Sequence, residues 1–377
     1  MIKIKDLLKL RTFESFKLLC GNKGIINNVS KIGILDYEVG DEVRKNFYEG
    51  EFVLTNFLMG KENKEIIKEI IIALIDIKAS GLAIKPIYIK ALSKDILDYA
   101  NKNNFPIFFY YDSFFEDILN DFSKARETKE IENNLALNIK KLMNDNLSSD
   151  FILETVLNIN KNLYSNYLIA SIKPKDEKYK VIDIPKEWDI SRVCSLIYFK
   201  DIYFFIYSFK EYKGLNKSYR DILLTLDLIG VKKESHYIAI SCEYFNLNKL
   251  NIALLESINA LKLCDEKNDI ILFKNLGPEK FLLPLLDNIW INKYYEDIIN
   301  IIIEYDSKNN SNLVKTGAVY YLNNRDFKKS AELLYQHENT IRYRIKKINE
   351  LLFLNHINID NIDLSLIFNI YKLKNII

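Results

Sequence analysis

Hydrophobic and polar positions follow two patterns in the first third of the chain, one typical of strands and one typical of helices. Together they predict a sheet with helices. Apolar runs of strand length lie at 29–35, 52–58, 80–84 and 106–111. Longer stretches with helical spacing lie at 61–78 and 91–103. Strands that alternate with helices favour a sheet covered by helices. Residues 1–125 are therefore predicted to form a compact α/β domain.

The pattern then becomes helical in the segment that follows this domain. Residues 123–160 contain neither glycine nor proline and are rich in Lys, Glu, Asn and Leu, which predicts a connecting helix or a pair of helices. Such a helix would suit dimerisation. The spacing of Ile131, Leu135, Ile139 and Leu142 nevertheless follows a 3.6-residue period better than a heptad, so a long coiled coil is not required.

The middle region, 163–286, returns to mixed strands and helices. A strand is predicted at 167–172, followed by two β-rich arms within 196–208 that meet at Lys200 and Asp201, the signal of a hairpin. A helix near 217–233, a strand at 237–242 and a helix near 249–264 complete the order of an α/β sandwich.

The last region is helical, and one of its helices has two unlike faces. Helices are predicted at 294–306, 313–324, 328–334 and 362–373, with a further helix after the turn Tyr335–His337. On that helix one face is apolar, through Ile341, Ile345, Ile348 and Leu352. A short helix, a three-residue turn and a second helix together predict a helix-turn-helix.

The polar face of this helix concentrates positive charge. The whole chain is nearly balanced, with 53 basic and 51 acidic residues, whereas residues 339–349 contain four cations and no acid. Cations gathered on one helix favour binding to phosphates. The residues expected to contact DNA are Lys328, Lys329, His337, Asn339, Thr340, Arg342, Tyr343, Arg344, Lys346 and Lys347.

Two expectations about individual side chains follow, with one alternative for the whole helix. Arg342, Arg344, Lys346 and Lys347 are expected to be exposed, so that alanine at each changes stability by less than about 0.5 kcal/mol. Asn339 is expected to contact a base or to act as the helix N-cap. The alternative for the whole helix is an ordinary surface helix whose cations are simply solvated.

Two segments resemble a known family, the PucR/CdaR transcriptional regulators. The run from His337 to Arg344 is similar to the start of the recognition helix of that family, although Glu338 replaces the usual arginine and the glycine that commonly follows the helix is missing. Residues 24–36 and 50–56 resemble the PucR-type N-terminal domain, but Thr55-Asn56-Phe57 stands where Thr-Thr-Gly is usual.

The resemblance implies a multidomain α/β plus all-α architecture. The expected parts are a PucR-like N-terminal sensor domain at 1–125, a helical linker at 126–162, a degenerate GGDEF-like α/β domain at 163–286 and a helix-turn-helix bundle at 287–377. An active cyclase would need glycines and carboxylates at the hairpin tip, where this chain has Lys200 and Asp201. The middle domain is therefore assigned to assembly and signal transmission.

A small-molecule site is expected in the N-terminal domain, near the ends of its strands. The nominated ligand-binding side chains are Asp36, Glu51, Thr55 and Asn56, for which turn and cap roles are the alternative. Asp36 belongs to an acidic cluster with Glu38, Asp41 and Glu42. No histidine lies in this domain to complete a metal site, so the cluster is interpreted as a solvated acidic loop.

The sequence contains no recognised motif for catalysis. Neither an HExxH pair nor a GxxxxGK loop occurs, and the four cysteines are scattered without paired spacing. His236 and Cys242 are interpreted as a surface histidine beside a core cysteine. No metal or cofactor is expected, and the charged segment at the N-terminus is expected to be neither a signal peptide nor a membrane span.

The sequence therefore predicts a cytoplasmic, ligand-responsive regulator without enzymatic activity. Its expected partners are double-stranded DNA, a small-molecule effector and a second copy of the chain, because two recognition helices match a two-fold symmetric operator. The alternative is a nucleotide-sensing or protein-interaction adaptor whose basic helix does not read DNA. A steep loss of DNA affinity with rising salt separates the two.

Overall fold

The chain divides into two compact units, Met1–Asn134 and Leu135–Ile377. The computed structural model describes residues 2–61, 63–180, 182, 193–212, 214–357 and 360–376, without the side chains of Lys64, Leu215 and Ile376. Within these described residues no helix is both long and apolar enough to cross a membrane.

The first unit is a five-stranded sheet between two layers of helices. Its strands are β1 (Ile2–Lys3), β2 (Lys17–Cys20), β3 (Asn28–Val29), β4 (Lys31–Leu35), β5 (Glu51–Thr55), β6 (Gly81–Ile84) and β7 (Ile107–Phe109). Its helices are α1 (Ile4–Leu7), α2 (Asp41–Asn46), α3 (Lys64–Asp76), α4 (Lys94–Lys102) and the start of α5 (Phe115–Leu142). The sheet order is β2-β7-β6-β5-β4, and β4 to β7 run parallel. The short strands β1 and β3 pair with each other.

Alternating side chains of the parallel strands fill two separate cores. Val53 packs with the residues of α2, α3 and α4, whereas Phe52 and Leu54 on the same strand pack with α1 and the start of α5. Strands covered on both faces have no polar side, which explains their nearly continuous apolar runs. The prediction of an α/β domain is confirmed.

The acidic segment of this unit is only partly a loop. Asp41 and Glu42 form the first turn of α2, where the positive end of the helix dipole favours carboxylates. The carboxylate of Glu38 accepts the backbone N–H groups of Asp36 and Tyr37 within the preceding turn. The expectation of a single solvated loop was wrong because α2 starts inside it. The described residues contain no group of three His, Cys, Asp or Glu that could hold a metal ion.

The second unit contains a mostly antiparallel sheet. Its strands are β8 (Asn166–Pro174), β9 (Cys194–Phe199), β10 (Ile202–Phe209), β11 (His236–Ile240) and β12 (Ile270–Leu272), in the order β12-β11-β8-β10-β9. The helices around it are α6 (Ser149–Ile159), α7 (Leu215–Leu228) and α8 (Leu250–Leu261). The short α9 (Glu279–Leu282) follows β12, and its Leu282 packs into the core of the C-terminal helices. The end of α5, α6 and α8 contribute to the core on one face, and α7 to the core on the other.

The predicted hairpin forms at the predicted turn. Lys200 and Asp201 both have positive φ, at 50° and 62°, as a two-residue turn between twisted strands requires. The Asp201 carboxylate accepts the Tyr198 hydroxyl at 2.7 Å and lies 3.2 Å from the Lys180 ammonium. Both contacts lower the pKa of Asp201, the Tyr198 hydrogen bond first.

The interpretation of His236 as a surface residue was wrong, whereas Cys242 packs against a hydrophobic core as expected. His236 is buried, with Nδ1 2.8 Å from the Ser235 hydroxyl and Nε2 3.2 Å from the Tyr179 carbonyl, and burial lowers its pKa. Cys242 is half-buried and lies beyond the other end of β11. Burial raises the pKa of its thiol to about 11, so at neutral pH the sulfur is not a nucleophilic thiolate.

The rest of the second unit is a bundle of helices. They are α10 (Ile289–Asn309), α11 (Leu313–Leu322), α12 (Phe327–Leu334), α13 (Glu338–Leu354) and α14 (Asn361–Ile376). The Asp306 carboxylate accepts the backbone N–H groups of Leu313 and Val314 at 2.7 and 2.9 Å, which caps α11 against α10. The predicted helices are present, and each extends or shortens by a few residues. After α13, His356 adopts a φ of 61°, the left-handed conformation that a glycine commonly provides after a helix.

Gly317 lets α11 and α14 approach closely, and this contact generates a stability prediction. A Cβ at Gly317 would lie 2.2 Å from Cζ of Phe368, whose ring stacks on Tyr321. Alanine normally stabilises a helix by about 0.5–1 kcal/mol relative to glycine. Here overpacking outweighs that gain, and we expect Gly317→Ala to lower the free energy of unfolding by about 1–3 kcal/mol.

Urea unfolding of the full chain measures this effect. The control is Gly277→Ala, because a Cβ there meets only one carboxylate oxygen of Glu279, at 3.3 Å, and no ring or backbone atom. Adding Phe368→Leu to Gly317→Ala should recover part of the loss. A single Gly317→Ala variant as stable as the parent chain would contradict the proposed close packing.

Candidate nucleic-acid interface

The turn between α12 and α13 orients the two helices. Tyr335 has a φ of 52° and is almost fully exposed, which redirects the chain directly after α12. The extended residue His337 is the N-cap of α13, and its Nδ1 accepts the N–H of Asn339 at 3.2 Å. The N-cap alternative for Asn339 was therefore wrong. The Asn339 side chain is exposed at the start of α13.

The apolar face of α13 is completely covered by the bundle. Ile341, Ile345, Ile348 and Leu352 are all buried, in one core with residues of α10, α11 and α14. These side chains recur at helical spacing, so burying them turns the opposite face of α13 outward. That outward face carries Asn339, Arg342, Tyr343, Lys346 and Asn349, all of them exposed.

Arg342 is exposed, but its guanidinium contacts two neighbouring side chains. Its guanidinium donates to the Glu338 carboxylate, with the shorter contact at 2.5 Å, and lies 4.2 Å from the centre of the Phe327 ring. Glu338 is one turn earlier on α13, and Phe327 is the first residue of α12. The side chain therefore bridges both helices of the helix-turn-helix.

The expected exposure of Arg344 was wrong. Arg344 is half-buried, and its Nη1 donates to the Thr316 hydroxyl of α11 at 3.0 Å. Thr316 is fully buried and donates in turn to the Asn312 carbonyl at 2.7 Å. Arg344 lies toward the covered side of α13, so it holds α13 against α11.

The expected exposure of Lys347 was also wrong. Only 25% of its side chain is exposed, and its ammonium lies 5.4 Å from the centre of the Tyr305 ring of α10. Its other partner is the Glu350 carboxylate at 3.7 Å, which also lies 3.9 Å from the ammonium of Lys346. Lys347 thus packs its stem on α10 and shares the single Glu350 carboxylate with Lys346.

Acids at both ends of the basic stretch compensate much of its charge. Glu338 pairs with Arg342, and Glu350 pairs with Lys346 and Lys347. A count restricted to residues 339–349 omits both acids. Pairing along a helix at spacings of three and four could have been recognised from the sequence.

The other expected DNA contacts lie beside this face. Lys328 and Lys329 are exposed in the first turn of α12. The first turn is capped by Asp326, which accepts the N–H of Lys329 at 3.0 Å. Thr340 is half-buried on α13. The structure therefore brings the nominated residues onto two adjoining helices, with Arg344 and Lys347 turned toward the bundle.

The four nominated effector residues do not lie together. Thr55 and Asn56 lie at the carboxyl ends of the parallel strands, as does the exposed Asp36, whereas Glu51 lies at the amino end of β5. Thr55 is fully buried; it donates to the Leu35 carbonyl at 2.8 Å and accepts the N–H of Phe57 at 3.0 Å. Asn56 accepts the N–H of Leu58 at 2.9 Å.

Phe57, directly after the nominated Asn56, and the nominated Glu51 both have buried side chains. Phe57 has a φ of 53°, so the position where the family usually has glycine does adopt the left-handed conformation, here with a buried aromatic side chain. Glu51 is 3% exposed and lies 3.6 Å from the Lys31 ammonium. Burial raises the pKa of Glu51, and Lys31 opposes that shift.

Comparisons with known proteins agree with this architecture at both ends of the chain. Residues 6–125 match the model of the purine catabolism regulatory protein-like family, PucR, and residues 313–362 match the PucR C-terminal helix-turn-helix domain. The second match starts at the first residue of α11 and includes α12 and α13. In these two ranges, which together cover less than half of the chain, the chain is similar to PucR-type regulators.

A curated relative and a solved structure were also found. The proline-responsive transcriptional activator PutR of Bacillus subtilis (strain 168) is 30% identical over 119 residues, which cover 30% of this chain and 29% of PutR. The match therefore spans less than a third of that relative. The crystal structure of a regulator of polyketide synthase expression from Bifidobacterium adolescentis aligns with 63% of this chain and 98% of its own, at 12% identity and a TM-score of 0.26. A likeness at that score supports no conclusion.

Half-buried and exposed cations on α13 should differ in their effect on the free energy of unfolding. We expect Arg344→Ala to lower the free energy of unfolding by about 1–2 kcal/mol, because it removes a charged donor from a buried hydroxyl. Lys346→Ala, the matched control at an exposed position, should change it by less than about 0.5 kcal/mol. Urea unfolding of both variants provides the comparison, and equal effects would show that Arg344 has no structural role.

Proposed function

We propose that this chain is a DNA-binding transcriptional regulator that reads the major groove with α13. The observation that carries the proposal is the exposed polar face of α13 within a helix-turn-helix that matches the PucR C-terminal domain. Recognition helices of this motif place the residues of their first turns against base edges. Asn339 and Tyr343 occupy such positions, whereas Lys346, Lys328 and Lys329 suit contacts to phosphates.

Arg342, His337 and Thr340 complete the proposed interface, and Arg344 and Lys347 contribute to it mainly by position. Because both of the latter also pack on the bundle, we assign them a double role. They hold α13 in place, and they add positive potential beside the phosphate backbone. A second copy of the chain would present a second α13, and a two-fold symmetric operator would then contact both helices about 34 Å apart.

The remaining parts support regulation by a small molecule. We propose a sensor domain at 1–125, a helical linker at 126–162, a degenerate GGDEF-like domain at 163–286 and the DNA reader at 287–377. The hairpin β9–β10 beside β8 supports the GGDEF-like assignment, and its tip holds Asp201 in contact with Lys180 and Tyr198 instead of a metal-binding carboxylate pair. We assign this domain no enzymatic role.

The effector and the controlled pathway belong to the same proposal. A relative is named for its response to proline, and the matched family is named for purine catabolism. Both names support a metabolic effector, and we propose a small polar metabolite of a catabolic pathway, such as that of purines or small acids. A regulator that reads the chromosome acts in the cytoplasm of a bacterial cell, where we place this protein.

The exposed cations provide the first test of DNA binding. Wild-type protein is used to select duplexes from a random-sequence pool, and the affinity of each variant is measured over a range of salt concentrations. Lys346→Ala should weaken binding to selected and unselected duplexes alike. It should also reduce the slope of log affinity against log salt by about one, because one phosphate contact is lost.

Asn339→Ala is the matched test for sequence reading. It should reduce the preference for selected over unselected duplexes, since it removes a proposed base contact at an exposed position. Unfolding measurements on both variants exclude a loss of fold. Wild-type protein that shows neither sequence selection nor salt dependence would support the adaptor alternative instead.

Glu338 should restrain DNA binding, because it holds Arg342 and brings a negative charge close to phosphates. We expect Glu338→Gln to raise affinity by about two- to fivefold at low salt, the range of an exposed ion pair. Glu266→Gln changes the net charge equally at an exposed position outside the bundle and serves as the control. An unchanged or lower affinity for Glu338→Gln would contradict the restraint.

A further inference from the structure

A cavity of about 760 Å³ lies at the amino edge of the parallel strands in the first unit. Its walls come from the loops that precede β4, β5, β6 and β7. Ser30, Gly50 and Ser80 each stand directly before a strand, and Phe105 closes the side next to β7. The edge is opposite to the one where Asp36, Thr55 and Asn56 lie.

Backbone hydrogen bonds join these loops into one frame. The N–H of Ser30 donates to the Gly50 carbonyl at 2.9 Å, and the N–H of Gly50 donates to the Lys78 carbonyl at 3.0 Å. The N–H of Ser80 donates to the Glu51 carbonyl at 2.7 Å. The side-chain amide of Asn27 donates to the Ser80 carbonyl at 3.0 Å. A ligand would therefore meet walls that are already ordered.

Two side chains of opposite charge line this cavity, and neither forms an ion pair within the described part of the chain. They are Glu49 and Lys78, and both are exposed at the cavity. Their backbones are close, because Gly50 follows Glu49 and is hydrogen-bonded to Lys78. Asn28 and Asn103 add amide groups, and Ile75 adds an apolar wall.

We propose that this cavity binds a small zwitterionic metabolite, with its carboxylate on Lys78 and its ammonium group on Glu49. An isolated anion would meet Glu49, and an isolated cation would meet Lys78, so a molecule with both charges has the better electrostatic match. The amides provide further hydrogen-bond partners, as in small-molecule sites with a few convergent polar groups. This inference rests on the proposed function for its role as an effector site, whereas binding itself requires no DNA.

Calorimetric titration of the full chain with the standard α-amino acids as zwitterionic probes tests the proposal. At least one probe should bind. Its N-acetyl derivative, which lacks the ammonium group, and its methyl ester, which lacks the carboxylate, should each bind at least about tenfold more weakly, the effect of about 1.4 kcal/mol. Binding of all three forms with equal affinity would overturn the assignment of the two charges.

Charge-neutral variants locate the site. Lys78→Gln and Glu49→Gln should each weaken binding of the zwitterion by a similar factor. Lys45→Gln and Glu42→Gln, which neutralise exposed charges on α2, should leave it unchanged. The proposal is overturned if no zwitterionic probe binds, or if both cavity variants bind as the parent chain does. If the chain binds a probe but no DNA, the site is supported and the proposed function is refuted. If it binds DNA but no probe, the proposed function is supported and the site is refuted.

Discussion

The burial of one apolar stripe on α13 determines what the C-terminal helices present to solvent. Ile341, Ile345, Ile348 and Leu352 enter a core shared with α10, α11 and α14. Each buried aliphatic side chain contributes about 1.5–3 kcal/mol relative to an exposed one. No other rotation of α13 about its axis would keep all four buried, so the direction of the polar face follows from the apolar one. Arg344 and Lys347 strengthen the same orientation from the borders of the stripe.

Much of the fold could be predicted because it depends on local pattern. The faces of α13 follow from a 3.6-residue period within the helix itself, and the β9–β10 hairpin follows from two β-rich arms around a two-residue turn. The α/β order of the first unit likewise follows from alternating runs. In each case the sequence contains the partner or the period within a few residues.

The rest depends on partners that are distant in sequence. The burial of Arg344 requires Thr316, 28 residues earlier, and that of Lys347 requires Tyr305. The short helix α2 was missed because its acidic residues suit a loop equally well, and β12 because three residues carry little periodicity. The amino-edge cavity combines loops from four separate segments, so no single stretch of sequence indicates it.

The conformation of Arg342 is already restricted before the protein meets a binding partner. The Phe327 ring and the Glu338 carboxylate limit the rotamers of a side chain that, when free, carries about 2 kcal/mol of conformational entropy. A flexible arginine loses that freedom at the moment it docks, which weakens the contact it makes. Here the loss occurs when the protein folds. Exchanging the carboxylate for another anion at the same position would then require little further ordering, so Phe327 acts as a template that keeps the guanidinium in place between partners.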